Sequence, residues 1–189
     1  MTASNGGSNR TQLITAMNRV VAEKGYPATT IADIVASAHV SRRTFYEQFD
    51  DKEACLLASH ELLGGLMLEA VGKVQVAGDP RATISAAIES LLATLVAHPD
   101  LTYTHFVAMY SAGPRAREAR SVVQATLARS MREIAERSLA ADRVPTELMS
   151  TAVVGGIGEL IVTWVERGRT AHLDELAPTL IEFVCAVLL

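Results

Sequence analysis

Hydrophobic residues recur along this chain with the period of an α-helix rather than that of a strand. Between Arg10 and Lys24 they follow the i, i+3, i+4, i+7, i+8 spacing of one buried stripe, and Gly25 then supplies a stop signal. No stretch shows the sustained alternation, bounded by hairpin turns, that indicates antiparallel strands. Aromatic residues are only 5% of the chain, and Ala, Leu and Val recur throughout. We therefore predict an all-α protein.

A short second helix is predicted by a capping signal. Thr30 and Asp33 have the spacing of a capping box ahead of an apolar pair, which indicates about two helical turns ending near Ala36. The four residues "SAHV" then form a turn.

A third helix is predicted to begin at Ser41, whose hydroxyl can accept the N–H of Thr44 as an N-cap. Val40 and Phe45 have the spacing of a hydrophobic staple, and Phe45 and Phe49 lie four residues apart on the side expected to face the core. We expect this helix to run for seven to nine residues. Two helices joined by a short turn, the second capped at its start, form the helix-turn-helix arrangement.

Cations lie at the first turn of this predicted third helix. Arg42 and Arg43 are left on its exposed side together with Thr44 and Tyr46. The N-terminal residues of such a helix are those nearest the base edges when it lies in the major groove of DNA. The two arginines could reach guanine edges or phosphates, and Thr44 and Tyr46 could donate hydroxyls. Taken alone, an arginine pair is more often a solvated helix face.

A long fourth helix is predicted from the capping-box pair Asp50 and Glu53 to about Val76. Lys52 lies in its first turn, where a cation opposes the helix dipole at a cost of about 0.3–1 kcal/mol. A phosphate docked there would be favoured by the free N–H groups, the dipole and Lys52 together. Lys52 is therefore a candidate phosphate contact.

The remainder of the chain is also predicted to be helical. Gly78, Asp79 and Pro80 interrupt the pattern, and further breaks occur at "HPD", "SAGP", "DRVP" and "RGRTAH". Five more helices are expected, at about 81–97, 100–110, 115–140, 146–167 and 173–188.

Charge is distributed unevenly along the 189 residues, whose net charge is −4. Residues 1–52 carry six Lys or Arg against five acids, whereas the remainder is net negative by five. A polyanion would therefore meet the N-terminal part. Cys55 and Cys185 are far apart within apolar helical patterns, which favours two buried free thiols and a reducing, cytoplasmic setting.

Two segments raise the question of targeting or membrane insertion. The first nine residues, "MTASNGGSN", lack an apolar core and are expected to form a disordered arm rather than a secretory signal. The apolar run at 148–165 reaches the lower length limit for a spanning helix, but Glu159 near its middle would cost about 2.5–3.5 kcal/mol in a bilayer. We expect a helix buried by protein on most sides and no membrane partner.

The run "GYPATTIADIVASAHVSRRTFYEQFDDKEACL", from Gly25 to Leu56, resembles the DNA-binding domain of the TetR family of bacterial transcription regulators. The shared pattern is a glycine, a Thr pair, an Ile-Ala core, a turn, Ser, then Tyr-x-x-Phe and Lys-Glu. His39 departs from it, since the family usually has glycine in the turn, and we expect a slightly strained turn with a positive φ there. By position, the resemblance implies DNA contacts at Thr30, Ser41, Arg42, Arg43, Thr44, Tyr46 and Lys52, with Tyr46 and Lys52 on phosphate. Tyr46 as a packing residue and Thr30 as a cap alone remain open.

The resemblance also implies a division of labour along the chain. Residues 10–52 would form the three-helix DNA-binding domain, and residues 53–189 a larger helical domain that binds a small molecule and forms the dimer. It implies a homodimeric, cytoplasmic repressor of a palindromic double-stranded operator, released by a small apolar ligand that shifts the fourth helix. The alternative from another class is a helical-bundle carrier or enzyme without DNA binding.

Candidate ligand and metal residues are less well defined. An apolar effector pocket could be lined by Tyr103, Phe106, Met109, Tyr110, Met131 and Trp164, each of which could equally be a core residue. His98 and His105 straddle a Pro break without a nearby ligand at metal spacing, so we predict no metal and no cofactor. Gly155, Gly156 and Gly158 suggest close helix approach at a dimer seam. No nucleophile–base pair indicates an enzyme.

Overall fold

The structure is a computed structural model that describes residues 3–76 and 78–189, with side chains described from Ser8 onward. Of the described residues 82% are helical and none lies in a strand, which confirms the predicted all-α class. The α-helices are α1 (Ala3–Lys24), α2 (Ile31–Ala38), α3 (Arg42–Tyr46), α4 (Lys52–Gly72), α5 (Pro80–Ala97), α6 (Pro99–Phe106), α7 (Pro114–Ser138), α8 (Glu147–Glu166) and α9 (Ala177–Leu188). Short 3₁₀ segments occupy Ala108–Ser111, Ala141–Arg143 and Thr170–Leu176.

The helical residues group into two compact units. The first extends to Leu63 and also takes Asp100–Arg120, and the second comprises Gly64–Pro99 and Ser121–Leu189. The boundary between these units does not fall after residue 52, where the DNA-binding domain was expected to end. The expected division into functional domains stays a prediction.

The first unit is built on a buried apolar cluster to which α1, α2 and α3 all contribute. Leu13, Met17, Ile34 and Phe45 are completely buried at its centre. The stripe predicted along α1 therefore faces the core, and Gly25 ends that helix with a φ of +77°. Glycine adopts this left-handed conformation at no steric cost, which is why the helix stops there.

The N-terminal arm differs from expectation because α1 begins at Ala3, so residues 3–9 are helical. Once an amphipathic segment is anchored by its buried stripe, each residue added to its end gains a hydrogen bond without a new nucleation step. Residues 1 and 2 of the expected arm lie outside the described residues.

The second unit packs α5 against α9 and against the segment Thr170–Leu176, and α8 contacts both of those partners. Its most buried side chains are apolar, among them Leu92, Leu95, Ile161 and Leu180. Both cysteines of the chain, Cys55 in the first unit and Cys185 in the second, are buried free thiols, as predicted.

Two of the described helices, α4 and α8, are long and apolar enough to cross a membrane by length and composition alone, and a third candidate arises if Pro80–Ala97 and Pro99–Ser111 count as one broken span. In the most apolar 18-residue stretch of α8 only 28% of the residues are buried within the chain, against 44% in the corresponding stretch of α4. The expectation that α8 is covered on most sides is thus not met by the single chain.

The glycine cluster of α8 serves contacts inside the second unit at two of its three positions. A Cβ on Gly155 would lie 3.1 Å from the side-chain amide of Gln124, and one on Gly156 would lie 3.1 Å from the ring of Phe183. Only a Cβ on Gly158 would meet nothing within 4 Å in the described chain. Gly155 and Gly156 thus allow close approach within the second unit, and a dimer seam at this cluster stays a prediction.

Candidate DNA-binding surface

Helix α2 is fixed at both ends by hydrogen bonds close in sequence. The Thr30 hydroxyl accepts the N–H of Asp33 at 3.2 Å, and the Asp33 carboxylate accepts the N–H of Thr30 at 2.8 Å, which completes the predicted capping box. At the other end His39 adopts φ 55° and ψ 39°, and the N–H of Val40 donates to the carbonyl of Val35 at 3.1 Å. This left-handed cap lets the chain reverse within four residues. The positive φ predicted for His39 is confirmed.

The start of α3 follows the predicted pattern. The N–H of Thr44 donates to the Ser41 hydroxyl at 3.0 Å, and the two hydroxyls lie 2.9 Å apart. Phe45 is fully buried and Phe49 is 4% exposed, with ring centroids 5.8 Å apart, while Val40 packs against the same core. These contacts leave the opposite side of α3 on the surface.

Helix α3 is shorter than expected, with five residues in place of seven to nine. The N–H of Phe49 still donates to the carbonyl of Phe45 at 2.9 Å, so a helical turn continues beyond Tyr46. Phe49 is buried in the core just beyond the end of the regular helix.

The exposed side of α3 carries the candidate DNA contacts. Arg42 is exposed, and its guanidinium makes no hydrogen bond or ion pair with any described residue. Arg43, with a side chain 90% exposed, places Nε 3.0 Å from the Glu47 carboxylate. Tyr46 is 56% exposed, and its ring meets Phe45 edge-on at 5.6 Å. Arg42, Arg43 and Tyr46 can therefore be approached from solvent.

Three cations on α1 are engaged within the first unit. Arg10 donates to the carbonyl of Gln48 at 3.2 Å, and Arg19 donates to the Ser37 carbonyl at 2.6 Å. Lys24 lies 2.6 Å from the Asp33 carboxylate, and this contact lowers the pKa of Asp33 to about 2. These cations brace the three helices, so the excess of base over acid in residues 1–52 is not all available to a partner.

Lys52 also has partners inside the protein, which sequence reasoning missed. Its ammonium donates to the carbonyls of Tyr26 at 3.0 Å and Thr29 at 2.8 Å. The predicted cap of α4 is shifted by one residue, because the N–H of Ala54 donates to Asp51 at 2.6 Å. A carboxylate thus already accepts one of the free N–H groups at the helix N-terminus that was expected to hold a phosphate.

The six candidate effector residues are divided between the two units. Met109 is buried in the core cluster of the first unit, Tyr103 packs against it, and Phe106 is half-buried. Tyr110 is 55% exposed with the Arg120 guanidinium 3.4 Å above its ring.

Met131 and Trp164 belong to the second unit, where the Trp164 indole donates to the carbonyl of His172 at 2.9 Å. A surface concavity of about 460 Å³ in that unit is lined instead by Arg132, Glu136, Leu139, Ala141, Val144, Pro145 and Thr146. The effector assignment stays a prediction.

His105 has a partner that the sequence did not indicate. Its ring stacks on that of His60, with centroids 4.0 Å apart and planes inclined by 19°. The two rings are 7% and 1% exposed. Among the described residues no three metal-ligating side chains come together.

These features define an all-helical protein whose first three helices, α1 to α3, contain a helix-turn-helix and are called the head below. Comparison with known proteins shows which class of helix-turn-helix protein it resembles. Residues 13–59 match the family model for bacterial regulatory proteins of the tetR family. The HTH-type transcriptional regulator BetI of Rhizobium meliloti is 32% identical over 115 residues, which are 60% of this chain and 56% of BetI. An uncharacterized HTH-type transcriptional regulator, YerO of Bacillus subtilis, is 36% identical over 64 residues, 33% of this chain and 22% of YerO. The matched parts thus span about half and a fifth of those relatives.

Solved structures share the fold over nearly the whole chain. The fatty acid degradation regulator FadR from Bacillus halodurans superposes with a TM-score of 0.79 at 20% identity, covering 93% of this chain and 94% of its own. FadR from Bacillus subtilis, determined in complex with stearoyl-CoA, superposes with a TM-score of 0.78 at 17% identity. The match covers 95% of this chain and 99% of that FadR chain. The helix-turn-helix region at residues 13–59 is thus of the TetR-family type, and the fold of the whole chain is shared with these solved regulators.

Proposed function

We propose that this protein is a sequence-specific transcriptional regulator that binds double-stranded DNA and acts as a repressor. The observation that carries the proposal is the exposed tip of α3, where Arg42 and Arg43 project into solvent while Phe45 and Phe49 anchor the other side in the core. The major groove of B-DNA is about 12 Å wide and admits one such helix with its N-terminal side chains at the base edges.

Each exposed side chain takes a role that its chemistry allows. Arg42, without an internal partner, is assigned to a guanine edge or a phosphate, and Arg43 can do the same with the nitrogens that Glu47 leaves free. Tyr46 is assigned to phosphate through its exposed hydroxyl. Ser41, Thr44 and Thr30 are already engaged in capping, so their hydroxyls contribute to DNA binding as secondary contacts.

We further propose that the protein acts in the cytoplasm as a homodimer on a palindromic operator. Helix α8 supports this because Leu148 is 82% exposed, Met149 42% and Leu160 36%, and an apolar face of this kind is stabilised by a second copy. Two reading heads on one face of DNA require half-sites separated by about 34–36 Å or a multiple.

An apolar acyl chain is the effector class that we propose. The solved relative FadR from Bacillus subtilis binds stearoyl-CoA, and α4 continues from the first unit into the second, so a shift of this helix would reach the head. A coupling of about 1–3 kcal/mol would change DNA affinity about 5- to 150-fold.

The test of DNA binding is selection followed by a salt series. Purified protein is mixed with a pool of random duplexes, and the bound fragments are recovered, sequenced and titrated between 50 and 200 mM salt, a range chosen because phosphate contacts dominate there. Counting one phosphate contact each for Arg42 and Arg43 in both heads, a dimer should give a slope of log K against log salt of about −3 to −4. Recovery of no common sequence, or binding that does not change with salt, would favour the carrier or enzyme alternative.

A matched pair of arginine variants locates the contact. Arg42→Ala should reduce affinity and make the salt slope shallower by about 0.9 for each lost phosphate contact, or relax one base position if it reads guanine. Arg129→Ala removes an equally exposed arginine on α7 and should change neither quantity. Equal behaviour of the two variants would remove α3 from the interface.

The effector is tested on the selected duplex. Stearoyl-CoA should release the protein from DNA, whereas coenzyme A without an acyl chain should not. If neither compound changes the affinity, the acyl-chain assignment is wrong while DNA binding stands.

A further inference from the structure

We infer that Arg115 is a positioning residue for DNA binding, because it ties the start of α7 to the first turn of α4. The inference rests on the proposed function, since that turn carries Lys52, the candidate phosphate contact. Two of the three donors of the Lys52 ammonium go to the carbonyls of Tyr26 and Thr29, so one donor remains for a phosphate. The position of this turn then determines whether the free donor reaches the DNA backbone.

The guanidinium of Arg115 bridges the two carboxylates that flank Lys52. Its Nη1 lies 3.2 Å from Oδ2 of Asp51 and 3.1 Å from Oε2 of Glu53. The other oxygen of the Asp51 carboxylate, Oδ1, accepts the N–H of Ala54 at 2.6 Å. Asp51 thus joins the arginine of α7 to the backbone of α4 through one carboxylate.

The segment that presents Arg115 is anchored in the core of the first unit. Met109 is 1% exposed and Ala116 is fully buried, both in the apolar cluster that also holds Phe45 of α3. Between them Gly113 adopts a φ of +92°, a left-handed conformation that glycine takes without steric cost. Arg115 therefore extends from a backbone that shares its core with the reading helix.

The bridge is expected to act on the position of α4 more than on the stability of the protein. The side chains of Arg115 and Asp51 are 53% and 52% exposed, and only Glu53, at 22%, is mostly covered. Exposed ion pairs contribute little to the free energy of unfolding. However, α4 and α7 each continue from the first unit into the second, so the bridge holds together the first-unit ends of two long helices.

The experiment breaks the bridge from either side, with opposite changes in charge. Arg115→Gln removes a cation, whereas the acid variant, Asp51→Asn with Glu53→Gln, removes two anions. Asn caps a helix about as well as Asp, so the N–H of Ala54 keeps its acceptor in the acid variant. Affinity for the selected duplex and for an unrelated duplex is measured across a salt series, below the unfolding temperature of every variant.

Matched controls come from a comparable pair on α7 in the second unit. Arg132 lies 3.1 Å from Glu136, and their side chains are about as exposed as those of Arg115 and Asp51. Arg132→Gln and Glu136→Gln should both bind the selected duplex as the wild type does.

The sign of the effect separates positioning from charge. If these groups acted on DNA only as charges, Arg115→Gln should weaken binding and the acid variant should strengthen it, because DNA is a polyanion. For positioning we expect both to weaken binding to the selected duplex about fivefold, the lower end of the cost of one mismatched base pair. The combination of all three substitutions should be no weaker than either variant, since the same bridge is lost once.

Several results would overturn the inference. Wild-type or tighter binding by either variant would do so, even with a lowered melting temperature, because the role would then be charge or stability alone. Losses that add in the combined variant, or equal losses in the controls, would show independent effects. A salt slope shallower by about 0.9 in Arg115→Gln alone would identify a direct phosphate contact of Arg115 instead.

Failure of the proposed function is seen separately, because the wild type would then select no duplex. The bridge is in that case judged by amide hydrogen exchange over residues 54–58 of α4. Faster exchange in both Arg115→Gln and the acid variant would support its role in fixing this turn, and unchanged exchange in either would refute it.

Discussion

The stacked pair His60 and His105 predicts that the protein loses stability in mildly acidic solution. Both rings are buried in the first unit, and neither ring nitrogen of His60 makes a hydrogen bond of good geometry with the described residues; a backbone contact at Ala119 opposes but does not outweigh the effect of burial on its pKa. The Nδ1 of His105 lies 3.3 Å from the carbonyl of His60, and the Phe106 ring centroid lies 4.8 Å from that of His105. Arg120, on α7, is the charged group that faces both rings, and its positive charge disfavours their protonation.

The sign and size of the effect follow from the pKa shifts. Burial, aided by Arg120, lowers the pKa of His60 to about 4, and burial together with His60 holds the pKa of His105 well below its ordinary value. The unfolded chain, with ordinary values near 6.5, therefore binds more protons below that pH, and the stability falls as the pH falls from about 6.5 toward 4. His60 alone should cost about 2 kcal/mol between pH 7 and pH 5, and the lowered pKa of His105 should add to this loss. Even the first amount is a substantial part of the 5–15 kcal/mol typical of a folded protein.

Urea unfolding at pH 7 and pH 5 measures this difference. The double variant His60→Gln and His105→Gln should flatten the pH dependence whatever its absolute stability, whereas His172→Gln, at an exposed histidine, should keep it. Carboxylates such as Asp33 titrate lower and add little in this range. Retention of the full pH dependence in the double variant, or an NMR titration that gives His60 a pKa of 6.5 or above, would refute the reasoning.

Two further predictions concern the head and the dimer. Phe45→Ala should lower the unfolding free energy by about 3–5 kcal/mol in urea titrations because the ring is fully buried, whereas Tyr46→Ala should cost about 1 kcal/mol or less and weaken duplex binding. Equal costs at these two positions would contradict the assigned orientation of α3. Leu160→Glu on the exposed face of α8 should convert the proposed dimer to a monomer in sedimentation equilibrium, and a variant that stays dimeric would place the interface elsewhere.

The parts of the head that sequence predicted well depend on short-range signals. The capping box of Thr30 and Asp33, the Ser41 cap and the buried pair Phe45 and Phe49 each join residues within four positions of one another. Helical geometry alone brings such residues together, so their contacts can be predicted without knowledge of the fold.

The contacts that sequence missed join residues far apart along the chain. Lys52 meets a carbonyl 26 residues away, and His105 stacks on a ring 45 residues away. Nothing in the local pattern distinguishes Lys52 bound to a loop from Lys52 bound to a phosphate. The predicted N-cap of α4 was wrong by one residue. Asp50 and Asp51 are both favourable N-cap residues, and the sequence pattern does not decide between such neighbours.

The distribution of cations explains how an acidic chain can read DNA selectively. Of the six cations in residues 1–52, four are tied to carbonyls, a hydroxyl or a carboxylate within the first unit: Arg10, Arg19, Lys24 and Lys52. Of these six, only Arg42 has no partner among the described residues, and Arg43 is paired only with Glu47 one turn away, so electrostatic attraction to arbitrary duplexes should be weak. In the proposed dimer, affinity would then come from fitting two heads to two half-sites at once, and the four tied cations would hold each head in shape. For this reason a variant that loosens the head should impair discrimination between sequences more than attraction to DNA as such.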